Sequence, residues 1–330
     1  MKTYNIILIS VLSLVFLSCS NDNSDTNIDF TSNDLMNLIE NDSNLSIFEE
    51  AINITSLTSF FRSLEDNTVL IPTNDAFNEY FMDNDFSGLN EVPNLKSIVL
   101  NHVFDFTLSA DNFLESNNYF SFAEVPDPYN QRLQVYVENG ETTTFNRSAS
   151  FIETNIQATN GILHKIDGVI TPLSIKDVLF ISPDFSEGFS IFKEAISREE
   201  IETSFSNIIS NTPEEASSLI TFFVPTDQAF QQFLTNTGYS TIQDVPATDL
   251  DQILRMHVIK EFKQIYLTED STVLTIDNKE LNLITDNNGT RIIDSENREV
   301  TVLNSIGDRR ANVITGTGII QVVTDKIILP

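Results

Sequence analysis

Three segments of this 330-residue chain occur twice in the same order, and a chain that repeats itself at this length folds as two copies of one domain. Asp34 opens DLMNLIENDSNLSIFEEAI and Asp177 opens DVLFISPDFSEGFSIFKEAI, with Ser46-Ile47-Phe48 against Ser190-Ile191-Phe192 and Ala51-Ile52 against Ala195-Ile196. TVLIPTNDAF (Thr68 to Phe77) then matches TFFVPTDQAF (Thr221 to Phe230), and GILHKIDGVITP (residues 161–172) matches GIIQVVTDKIILP (residues 318–330). The offset between copies grows from 143 through 153 to 157, so the second carries small insertions, mainly around residues 203 to 218. The boundary falls at Pro172 to Ser174, giving a first domain of 30–172 and a second of 173–330.

Each copy reads as helices, a strand, two more helices and a strand-rich second half. Leu35, Leu38 and Ile39, then Ile47, Phe48, Ala51 and Ile52, have helical spacing. Val69-Leu70-Ile71 and Phe222-Phe223-Val224 are short apolar runs halted by proline, as buried strands are. After that proline, Thr73 or Asn74, and Thr226 or Asp227, are placed to accept hydrogen bonds from the free amides of a helix start, with Phe77 and Phe230 facing inward. Leu95 to Val103 and Leu250 to Ile259 form a further matched helix, each with a histidine near its end. From about residue 132, and again from about residue 272, alternating Val, Ile, Thr and Tyr between turns such as Asn139-Gly140 and Asn288-Gly289 predict hairpins.

Residues 1–18 have the layout of a signal peptide. Lys2 precedes a run of 12 mostly apolar residues, Ile6 to Leu17, and Phe16-Leu17-Ser18-Cys19 sets a small residue before the chain's one cysteine. Twelve residues fall short of the ~20 needed to span a bilayer. Cys19 is therefore the expected site of cleavage and lipid attachment, and residues 19–29 a lipidated flexible tether. Acidic tethers behind a lipidated cysteine resemble the surface-export signals of lipoproteins in one group of Gram-negative bacteria, which implies a lipid-anchored, outward-facing place on the outer membrane.

With its three repeated segments the chain resembles tandem fasciclin-like domains, the FAS1 family, over about residues 30 to 330. The first motif is carried by Thr68 to Phe77 and Thr221 to Phe230, the closing motif by Gly161 to Pro172 and Gly318 to Pro330. The family's middle motif, commonly Tyr-His, is matched by Asn101-His102 and Met256-His257. His164 sits where the family often has a histidine, and Gln321 takes that place in the second copy. The resemblance implies an α+β fold, two tandem domains, each a β-wedge or sandwich with a helical layer and the closing strand in its core. It also implies adhesion or matrix binding.

Chemistry has little to work with. There are 3 histidines and 1 cysteine, and no H-E-x-x-H, nucleophile elbow, dinucleotide or phosphate-binding loop occurs. Asp286-Asn287-Asn288-Gly289 lacks the bidentate glutamate of an EF-hand. With 48 acidic against 18 basic residues, the net charge of -30 repels nucleic acid. The expectation is a non-catalytic module with no cofactor and no metal, held to the membrane by its N-terminal lipid. His102 and His257 are its possible binding or structural histidines. The expected partner is an extracellular-matrix protein, a cell-surface protein or a polysaccharide; the alternative is an accessory glycan-binding lipoprotein associated with uptake.

Overall fold

The apolar runs that end in proline form the axis of each half. A computed structural model of the chain describes residues 33–113, 117–126, 128–210, 218–265, 270–286, 289–303 and 308–330; Cys19 and the expected signal and tether segments lie outside them. Helices α1 (Leu35–Glu40), α2 (Ser46–Ile54) and α3 (Thr58–Arg62) precede β1 (Asn67–Pro72), and α4 (Asn74–Asp83) and α5 (Leu95–Asn101) follow it. Strands β2 (Val103–Phe104), β3 (Asn117–Glu124), β4 (Arg132–Asn139), β5 (Thr143–Phe145), β6 (Ala149–Ala158) and β7 (Gly161–Ile166) then close with β1 into a barrel. β7 runs parallel to β1, while β2 lies antiparallel on its other side.

β1 is buried at every position because both of its faces are covered. Val69 and Ile71 share one core with Phe48, Phe61, Phe77 and Ile98 of the helices. Leu70, turned the other way by the pleat, shares the barrel core with Phe104, Val137, Phe145 and Ile166.

The second half repeats the plan with α6 (Ile175–Ile181), α7 (Ser190–Ile196), α8 (Phe205–Ser210), β8 (Ile220–Pro225), α9 (Asp227–Thr237) and α10 (Ala247–Met256). Its remaining strands are β9 (Val258–Ile259), β10 (Ser271–Leu274), β11 (Glu280–Asp286), β12 (Gly289–Ile293), β13 (Glu299–Val302), β14 (Val313–Thr315) and β15 (Gly318–Val323). β8 sits between antiparallel β9 and parallel β15. Phe222 and Val224 meet Phe192, Phe230 and Leu254 in the helical core, and Phe223 meets Ile259, Leu283, Ile292 and Val323 in the other. The ring is completed by one bridge, Ile259↔Thr275, where the first half has Phe104↔Ser121.

Two details differ from the sequence expectation. α5 and α10 stop at Asn101 and Met256, and Val103 and Val258 instead pair with β1 and β8 as short strands. Those valines are fully buried, so their apolar character suits either period. Insertion is also not confined to residues 203–218, where α8 lies. β6 meets β7 at Phe151↔Ile166 and Ala158↔Gly161; the equivalent pairs, Val302↔Val323 and Thr315↔Gly318, belong to two separate strands, β13 and β14.

The halves share a core. Ala123, Val125 and Leu133 of the first pack with Leu219, Phe262 and Ile319 of the second, and the rings of Tyr129 and Phe262 lie 4.6 Å apart. A cavity of about 20 Å³ between Leu133, Tyr136, Leu173 and Val313 has room for little more than a water molecule. The connection is absorbed into the second half: Leu173 O accepts from Gly316 N at 2.7 Å, and Ser174 forms a capping box with Asp177 at the start of α6.

Candidate functional site

His102 and His257 occupy the same structural position, at the C-terminal ends of α5 and α10, and both are fully buried. Nδ1 of each lies 2.8 Å from the carbonyl oxygen four residues earlier, Ile98 O and Ile253 O. Nε2 accepts from a main-chain N–H beyond the closing strand, Ile170 N at 2.9 Å and Ile328 N at 3.0 Å. An acceptor at Nε2 fixes the proton on Nδ1, so both imidazoles are neutral and doubly satisfied. Burial pushes each from 6.5 down to about 4. No ring nitrogen remains for a ligand or metal.

His164 uses its ring the opposite way. Its Nδ1 accepts from Asn155 N at 3.2 Å, so Nε2 carries the proton and donates to Leu108 O at 3.0 Å. Gln321 makes the same two connections with an amide: Oε1 accepts from Asn312 N at 3.3 Å and Nε2 donates to Lys263 O at 2.8 Å. The neighbours correspond as well, since Leu108 N and Lys263 N donate to Thr68 Oγ1 and Thr221 Oγ1. A donor and an acceptor at fixed spacing are what the position requires, and either side chain supplies them.

The residues after the strand-ending proline divide the capping work. Thr73 and Thr226 cap their own helices, accepting from Ala76 N and Ala229 N. Asn74 and Asp227 instead accept from Ile47 N at 2.9 Å and Ile191 N at 2.8 Å, at the starts of α2 and α7. These polar groups are committed to the scaffold.

What the scaffold leaves open is a groove present in both halves. In the first, of about 400 Å³, α4 contributes Glu79, Tyr80 and Asp83, the turn before β6 contributes Arg147, and the segment after β7 contributes Asp167 and Gly168. In the second, of about 500 Å³, the equivalent positions of α9 are Gln232, Phe233 and Asn236, with Arg298 from the turn before β13 and Lys326 after β15. The correspondence is fixed by paired hydrogen bonds: Asp167 Oδ1 accepts from Ser150 N, and Asp325 Oδ1 from Thr301 N. No sequence motif marks these residues. Their signal was the replacement of Glu79 and Asp83 by their amides at 232 and 236 within an otherwise matched helix.

Among the described residues no group of three or more His, Cys, Asp or Glu side chains is arranged to hold a metal ion, and no helix is long and apolar enough to cross a membrane. The model of the Fasciclin domain matches residues 43–172 and again 187–330. The chain belongs to the fasciclin-domain family. A solved FAS1 domain pair from the insect cell adhesion molecule fasciclin I is similar over 87% of this chain and 97% of its own, at 19% identity and a TM-score of 0.46. Fasciclin domains are adhesion-type modules and are generally non-enzymatic, and in this tandem pair the matched histidines serve the α+β framework.

Proposed function

We infer that this chain is a cell-surface adhesion or matrix-binding module, cut at Cys19, lipid-anchored to the outer membrane of a Gram-negative cell and without catalytic activity. The observation that carries the adhesion part is that both halves are fasciclin domains joined through a common apolar core. A fixed pair holds two surfaces at constant spacing, so two weak contacts can engage together if the partner's spacing matches. Anchoring rests on the Lys2, Ile6–Leu17 and Cys19 pattern.

The test uses cells producing the full chain. Adhesion to immobilised matrix proteins or to other cells should exceed that of cells lacking it, and external protease should remove it from intact cells. Cys19→Ser should abolish acylation and release the chain from the membrane fraction. Equal adhesion with and without the chain would refute the binding role, whereas protease resistance on intact cells would refute only the outward placement.

A further inference from the structure

The repeated groove has the same walls in both halves but different chemistry. In the first, three carboxylates, Glu79, Asp83 and Asp167, face one arginine, Arg147. In the second, Gln232 and Asn236 stand where Glu79 and Asp83 stood, and Lys326 replaces Gly168. Two of the three carboxylates thus have isosteric amides in their place, on a chain whose net charge is -30. Such a change keeps the side-chain shapes and lowers the attraction for cations, leaving Glu299 as the carboxylate in the lining.

The charges lining the second groove are engaged, the Glu299 carboxylate by Arg291 Nη1 at 3.5 Å. Arg298 bonds Asp294 Oδ2 through Nε at 2.5 Å and the carbonyls of Leu329 and Pro330 through an amino group at 3.0 and 2.9 Å. Lys326 Nζ donates to Glu299 O at 3.2 Å. Gln232, Asn236 and Asn297 are exposed at the rim, while half-buried Phe233, with Val300, Ile327 and Leu329, forms an apolar floor. An amide offers two donors and two acceptor sites in one plane, which suits neighbouring hydroxyls that each donate and accept. An aromatic and aliphatic floor suits the C–H face of a ring. The volume falls within the range of about 300–1,000 Å³ usual for small-ligand sites.

We propose that the groove between α9, the turn before β13 and the segment after β15 binds a neutral oligosaccharide, with Gln232, Asn236 and Asn297 holding hydroxyls and Phe233 packing against a sugar ring. A peptide fits less well. Recognition of an extended main chain uses an open strand edge, and here the walls are a helix and two connecting segments, while β13 is paired to β12 and β15. The proposal rests on the adhesion reading only in supplying a ligand class for its second domain.

The experiment is calorimetric titration of the full chain in detergent with neutral gluco-, xylo-, manno- and galacto-oligosaccharides of about four to six units, and with heparin oligosaccharides and an unfolded casein as contrasts. Saturable binding of a neutral oligosaccharide, weakened roughly tenfold by Phe233→Ala and comparably by Asn236→Asp, is the expected result. Glu79→Gln in the other groove should leave it unchanged. The exposed Asn236→Asp change keeps the test decisive if Phe233→Ala perturbs folding. Silence from all the neutral sugars, binding confined to heparin or casein, or binding indifferent to both second-groove variants would overturn the proposal. Cells that adhere through the chain while every sugar titration is silent would sink the groove assignment and leave the adhesion reading standing; the converse result would do the opposite.

Discussion

At Gly161 and Gly318 the closing motif is set by close approach of two backbones. Their φ angles are +155° and +151°, and a Cβ would lie 2.1 Å from Asn67 O or 2.0 Å from Ile220 O. Neither oxygen can move without breaking the parallel pairing of β1 with β7 or of β8 with β15. Gly318→Ala should therefore cost about 3 kcal/mol or more of unfolding free energy, read from denaturant melts. His102 and His257 set a pH dependence of known sign. Their folded-state values lie near 4 against 6.5 when free, so the unfolded chain takes up protons first as pH falls. Stability is complete above about pH 6.5 and is lost down to about pH 4, by about 3 kcal/mol for each histidine. In His102→Gln/His257→Gln the slope of stability between pH 6.5 and 5 should flatten. An unchanged slope would assign the acid sensitivity to other groups.

At the scale of elements, the cross-brace from Asp227 to the start of α7 is testable alone. Asp227→Ala removes the acceptor for Ile191 N and Ser190 Oγ, and should cost about 1–2 kcal/mol, while Asp227→Asn should retain most of it because Asn74 fills the same role. Much of this level was legible in the sequence. Proline after an apolar triplet marks the end of a strand covered on both faces, and the threonine after it marks a helix start, since each signal is local. The end of α5 was not legible, because Val103 is apolar in a helix or a strand and only its pairing with Val69 decides. The groove escaped for a related reason. Its walls come from three segments far apart in the chain, and Glu79 alone reads as a solvated helix face. The equivalence of His164 and Gln321 was likewise hidden, since it lies in hydrogen-bond geometry that two dissimilar side chains share.

On the whole molecule, the contact between halves turns two domains into one mechanical unit. Val125 and Leu133 could as well have faced their own barrel; only the packing of Leu219, Phe262 and Ile319 against them shows otherwise. Separating the halves would expose these side chains to water, at about 25 cal/mol per Å² of apolar surface. The intact chain should consequently unfold in one transition, and truncations at residue 172 should be less soluble and less stable than either half is within the pair. Point changes give a cleaner reading than truncation. Tyr129→Ala deletes a ring packed on Phe262 while leaving every residue of the second half unchanged, so any loss of protection there must travel through the interface. Hydrogen exchange at the amides of Leu219, Phe262 and Ile319 should accelerate in Tyr129→Ala, and the single melt should separate toward two. If those amides keep their protection and the melt stays single, the two halves are coupled elsewhere than through this core. If the melt is already double in the unmodified chain, the shared core is too weak to hold the two grooves at one spacing, and paired engagement of a partner would then depend on the partner itself to fix their geometry.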